Sequence, residues 1–262
     1  MKSMTFMKAG PGLSRRGMLR SMAALTVLAA APGAAAISRK QVTFVLVHGA
    51  WHGGWSWKRL APFLRAAGHQ VYAPTMTGMA ERAHQLNEDV DLDRHVQDIV
   101  ETLFYEDLRE VVLVGHSSGG PVITGVAEKV PERLSHLIYL DAFLLEDAKA
   151  LSDYAPIAPT RADGWRVPAP RLDFVDGRVR AWAELRLTDQ PMKTFTQPLQ
   201  ISADRTQGLA KTYIQLSNDF PWFNEAAARA KRNGYGYRSF ISNHEALLDQ
   251  PAAVAKILQE VV

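Results

Sequence analysis

From residue 41 onward the chain alternates short aliphatic and β-branched runs with longer stretches of helical spacing, and few folds can accommodate that alternation. The runs 43–47, 111–114, 137–140 and 213–216 are apolar without an in–out pattern, as expected of strands whose two faces are both covered. Two weaker candidates lie at 70–73 and 237–241. Between them, 57–67, 92–105, 118–129, 224–232 and 252–261 carry helical periodicity, with Gly68 after the first and Pro251 before the last. Strands alternating with helices predict an α/β protein with a mostly parallel central sheet and helices on both faces. From about 143 to 208 the alternation stops. That stretch is proline-rich, shows no strand-like run, and carries Trp165, Phe174, Trp182 and Phe195, so it is predicted to be a mainly helical cap over the sheet.

The chain has 262 residues, of which 47% are hydrophobic and 22% charged, enough for one well-buried core. Its formal charge of +3 comes from the first 36 residues, which hold Lys2, Lys8, Arg15, Arg16 and Arg20 and no acid. Without those five, 25 basic residues face 27 acidic ones, and no general attraction for nucleic acid is expected. The leader reads as a basic stretch with paired arginines, a short apolar run from Met22 to Ala31, and Ala34-Ala35-Ala36 as a small-residue cleavage site. It resembles a twin-arginine export signal, so residues 1–36 are predicted to be removed and residues 37–262 to be exported to the periplasm or beyond. An apolar run this short cannot span a bilayer, and no stable membrane anchor is expected. Cysteine is absent, which excludes disulfides, thiolate metal sites and a cysteine nucleophile.

The strongest local signal is Gly115-His116-Ser117-Ser118-Gly119-Gly120, placed directly after a predicted strand and before a predicted helix. This is G-x-S-x-G in the context of a nucleophile elbow, where strand and helix pass so close that the residues two before and two after the serine must lack side chains. That frame makes Ser117 the nucleophile. Shifting it by one would place His116 where a glycine belongs, so Ser118 is expected to supply only its backbone N–H to the oxyanion. Ala50, in His48-Gly49-Ala50-Trp51 after the first strand, is the expected second donor. His48 and His52 have no carboxylate or cysteine near them in sequence, and no metal is expected there. His244, after the last predicted strand, is the expected base. For the orienting acid there are two candidates: Asp219, after the run 213–216, is preferred, and Asp141, at the end of 137–140, is its rival.

Val45-Leu46-Val47-His48-Gly49-Ala50-Trp51-His52-Gly53-Gly54-Trp55-Ser56-Trp57 resembles the opening of the plant methylesterase and hydroxynitrile lyase branch of the α/β-hydrolases, and of related bacterial esterases that include pyrethroid hydrolases. The likeness extends through Gly115–Gly120, Tyr139-Leu140-Asp141, the stretch 213–219 and His244, and is weakest in the cap. It implies a cofactor-free hydrolase with a helical lid, an apolar pocket for small or aromatic esters, and Ala50 and Ser118 as oxyanion donors. Lyases of this branch carry threonine at the position of Gly49 and lysine at that of Glu245, so the resemblance favours hydrolysis of a small-molecule ester over cyanohydrin cleavage. A carbon–carbon hydrolase with the same triad and a non-catalytic ligand-binding protein are the alternatives.

Overall fold

The computed structural model describes residues 41–262 except 203, 218 and 219. The predicted leader and Asp219 therefore lie outside the described residues. In chain order the elements are β1 (Thr43–Val47), α1 (Ala61–Ala66), β2 (Gln70–Tyr72), α2 (Leu92–Tyr105), β3 (Val111–His116), α3 (Gly119–Lys129), β4 (Leu134–Leu140), β5 (Arg166–Val167), α4 (Gly177–Glu184), β6 (Gln190–Pro191), α5 (Lys193–Thr196), β7 (Ala210–Gln215), α6 (Pro221–Arg232), β8 (Gly236–Ser239), α7 (Ala246–Asp249) and α8 (Pro251–Glu260).

Six strands form one parallel sheet in the order β2-β1-β3-β4-β7-β8. The apolar runs are continuous because alternate residues feed two separate cores. Val45, Val47, Val111, Leu113, Leu137, Tyr139 and Tyr213 pack on one face with α2, α3 and α6. Phe44, Leu46, Val112, Val114, Ile138, Leu140 and Ile214 pack on the other with α1 and α8. Each such aliphatic side chain contributes about 1.5–3 kcal/mol on burial, and together they fix the strand ends from which the site is built.

Proline sets several helix starts. The spacing at 57–67 predicts one helix, but a 3₁₀ turn (Gly54–Trp57) and the shorter α1 occupy that stretch. Pro62 has no N–H to donate and is accommodated only in a first turn, so α1 begins at Ala61. Pro221 and Pro251 open α6 and α8 in the same way, and Asp91 caps α2 by accepting from the Arg94 N–H at 2.8 Å. The segment 143–208 contributes no strand to the main sheet among its described residues. It carries α4, α5, a 3₁₀ turn (Leu151–Asp153) and the antiparallel ribbon β5–β6. The ribbon departs from the expected absence of strands, and with two residues per strand it has no alternation for a sequence to display. No helix among the described residues is long and apolar enough to cross a membrane.

Candidate active site

β3 runs through Gly115 and His116 to Ser117, which sits at φ 54°, a left-handed conformation that costs a non-glycine residue about 1–3 kcal/mol. The surroundings hold it there. The Ser117 carbonyl accepts from the Phe143 N–H at 3.0 Å and the Gly120 N–H at 3.1 Å. A Cβ on Gly115 would stand 2.6 Å from the Gly119 carbonyl oxygen, and one on Gly119 would stand 2.9 Å from that of Val47. The crossing of strand and helix therefore excludes side chains at both positions, as the motif predicts. Ser118 is the first residue before α3, so its N–H lies at the positive end of an 11-residue helix.

The turn after β1 carries Ala50. The Gly49–Ala50 peptide is held by its carbonyl, which accepts from His48 Nδ1 at 2.8 Å, while His48 Nε2 accepts from the Met76 N–H at 3.1 Å. Burial, only partly offset by the bond to Gly49, pushes the His48 pKa down to about 3, so this ring is neutral with its proton on Nδ1. The next peptide is held at both ends: its carbonyl, from Ala50, accepts from His52 Nδ1 at 2.7 Å, and its N–H, from Trp51, donates to Gln190 Oε1 at 2.8 Å. Trp51 itself lies at φ 63°.

His244 follows β8 and is fixed on all sides. Its backbone carbonyl accepts from His116 Nε2 at 3.0 Å, and its ring stacks on Phe223 with centroids 4.5 Å apart and planes 16° from parallel. Its Nδ1 lies 2.8 Å from Asp141 Oδ2. Asp141 is fully buried at φ 44°, one residue beyond β4, and accepts also from the Leu216 and Ser217 N–H groups and from Ser217 Oγ at 2.8 Å. A carboxylate with four donors is an acceptor only, so Nδ1 of His244 carries the proton and Nε2 is left as the basic nitrogen. Burial lowers the His244 pKa, but the hydrogen bond and charge of Asp141, with the charge of Glu245, outweigh it and raise the pKa above its ordinary value.

Ala50, Ser117 and His244 line one cavity of about 340 Å³, walled by Trp51, Phe143, Leu151, Phe195, Phe220, Trp222 and Phe223. A larger groove of about 660 Å³, with Thr124, Lys211 and Arg229 in its walls, contains none of these three. Of the residues read from sequence, Ser117, His244, Ala50 and Ser118 thus come together at the strand ends, and so does Asp141. His116, Ser217 and Gln190 have positioning contacts that no spacing in the sequence reveals. Among the described residues no group of three or more histidines and carboxylates could hold a metal ion.

A family model described as the alpha/beta hydrolase family matches residues 44–257. The chain belongs to that family. This hydrolase is 33% identical over 236 residues to a carbendazim hydrolyzing esterase of Nocardioides sp. (strain SG-4G), an alignment spanning 82% of this chain and 97% of the relative. It is 41% identical over 104 residues to an alpha-hydroxynitrile lyase of Arabidopsis thaliana, spanning 38% of this chain and 40% of that one. Among solved structures, an extracellular alpha/beta-hydrolase from Paenibacillus superposes with a TM-score of 0.73 at 20% identity, covering 84% of this chain and 98% of its own.

Proposed function

We propose that the protein is a serine hydrolase of carboxylic esters in which Ser117 attacks, His244 carries the proton and Asp141 holds the imidazole. The observation that carries this reading is an activated histidine in the same aromatic cavity as an elbow serine. Ser117 Oγ adds to the ester carbonyl as its proton passes to His244 Nε2. The oxyanion is taken by the Ala50 and Ser118 N–H groups. Collapse expels the alcohol, which receives the proton from His244. Water then adds to the acyl carbonyl as its proton passes to Nε2, and collapse releases the acid as that proton returns to Ser117 Oγ.

Asp219, two residues beyond Ser217, is the second candidate for the acid, favoured by its place after the β7 strand. Asp141 is preferred because its contact with Nδ1 is observed. The aromatic walls suit a small apolar or aryl ester, and the relative named as a carbendazim hydrolyzing esterase supports ester hydrolysis. Cyanohydrin cleavage is the weaker reading: a Cβ on Gly49 would stand 3.0 Å from Ser117 Cβ and 3.1 Å from His116 Nδ1, so the threonine of the lyases would press on the elbow and displace its neighbours by a few tenths of an ångström. Turnover of p-nitrophenyl esters of increasing chain length beside a bulky aryl ester tests the assignment, with mandelonitrile as the lyase control. Cleavage of mandelonitrile with no ester turnover would overturn it.

The leader carries a further part of the reading, export by the twin-arginine route with a mature chain beginning near Ile37. Mass spectrometry of the exported fraction tests this, and an intact Met1 there would defeat it.

A further inference from the structure

The turn that carries Ala50 meets the loop that carries His244 through a contact that the hydrolytic cycle does not use. His52 and Glu245 are buried, 3% and 2% exposed, and His52 Nε2 lies 3.5 Å from Glu245 Oε2. Among the described residues neither atom has a hydrogen-bond partner. The other ring nitrogen fixes the tautomer: His52 Nδ1 is 2.7 Å from the Ala50 carbonyl, which can only accept, so Nδ1 bears a proton. Nε2 then faces Glu245 with either a lone pair or a second proton. A lone pair opposite a carboxylate would leave two buried acceptors in conflict, whereas one proton between them satisfies both, whichever side holds it. The other titratable groups around the pair are His48, His116 and His244. Burial keeps His48 and His116 neutral, and His244 has its Nδ1 proton committed to Asp141.

We propose that His52 and Glu245 share one proton and act as a positioning pair that clamps the oxyanion turn to the loop of the catalytic histidine. The inference rests on the hydrolase reading above. On one side, His52 holds the carbonyl of the Ala50–Trp51 peptide, whose N–H is held by Gln190, so the preceding Ala50 N–H is aimed by a peptide pinned at both ends. On the other side, Glu245 follows His244 directly in the chain, so a pair that fixes Glu245 also fixes the loop that carries the imidazole. Losing the shared proton would strand a buried charge between the two halves of the site.

The experiment uses His52→Asn, Glu245→Gln and the double variant. An asparagine amide can still donate to the Ala50 carbonyl but offers nothing to Glu245, which is left charged and unpaired. His52→Asn is expected to lower kcat on the order of 100-fold with little change in KM, the loss typical of a misplaced catalytic group. Adding Glu245→Gln removes the stranded charge and should restore at least about tenfold of that loss. Nitrogen-15 NMR of the His52 ring gives a readout independent of turnover: Glu245→Gln should shift Nε2 and leave Nδ1 nearly unchanged. An unmoved Nε2 signal, or a double variant no faster than His52→Asn, would overturn the pair. If Ser117→Ala keeps full ester turnover, the hydrolase reading fails instead, and the NMR arm still decides the pair.

Discussion

His244 Nδ1 and Asp141 Oδ2 stand 2.8 Å apart, although the two residues are 103 positions apart in the chain. β7 lies between the strands they follow, and its outgoing backbone donates to the same carboxylate through Leu216 and Ser217. Asp141 thus ties the ends of β4 and β7 to His244, so a structural role and the proposed orienting role fall on one side chain.

Asp141→Asn is expected to lower kcat on the order of 10⁴-fold, by analogy with the serine-protease triad in which the amide stabilises the wrong imidazole tautomer. KM should change far less, since the carboxylate matters most as the imidazolium forms. Asp219→Asn, measured beside it, should cost much less. Circular dichroism must show both variants folded, because Asp141 also anchors the backbone at Leu216 and Ser217. The reverse ranking would transfer the acid to Asp219.

The pH profile follows from His244. As the proposed base it works only when neutral, and its pKa is raised above the ordinary 6.5, so kcat/KM should rise with pH through a midpoint above 6.5 and be lost below it. Removing the negative charge of Asp141 should move that midpoint to lower pH. A wild-type midpoint clearly below 6.5 would contradict the contact.

Gln190 joins the cap ribbon to the oxyanion turn. It is buried, accepts from the Trp51 N–H at 2.8 Å and donates to Thr194 Oγ1 at 2.8 Å. Gln190→Ala leaves a buried N–H unpaired and should destabilise the fold by about 1–3 kcal/mol in urea denaturation. It should also lower kcat, because Trp51 adjoins Ala50, whose N–H is the proposed oxyanion donor. Unchanged stability and kcat together would show that the ribbon only covers the pocket.

Gly49→Thr tests the reaction class. Its side chain would press against Ser117 Cβ and His116 Nδ1, 3.0 and 3.1 Å from the new Cβ, so ester turnover should fall at least tenfold. Mandelonitrile cleavage should not appear in its place.

Periodicity could reveal the sheet because both faces of each inner strand are buried, which leaves aliphatic runs that polar surface strands would not show. The elbow was legible for a similar reason: the strand–helix crossing excludes Cβ at Gly115 and Gly119, and that steric demand is written directly as residue type. The choice of acid was not: Asp141 follows β4 and Asp219 comes after β7 in the sequence, and chain order carries no distance from either to His244. Nor does spacing distinguish His52 from His48, since their roles depend on which peptide carbonyl each ring reaches. The ribbon β5–β6 was invisible because two residues make no pattern.

The most direct test of the account is a fluorophosphonate labelling experiment read by peptide mass, run on the wild type, Ser117→Ala and Ser118→Ala. A single adduct on Ser117 is expected in the wild type and in Ser118→Ala, with ester turnover abolished by Ser117→Ala and largely kept by Ser118→Ala, because only the backbone of Ser118 is asked to act. An adduct on Ser118, or ester turnover that survives Ser117→Ala, would contradict the central claim that Ser117 is the nucleophile.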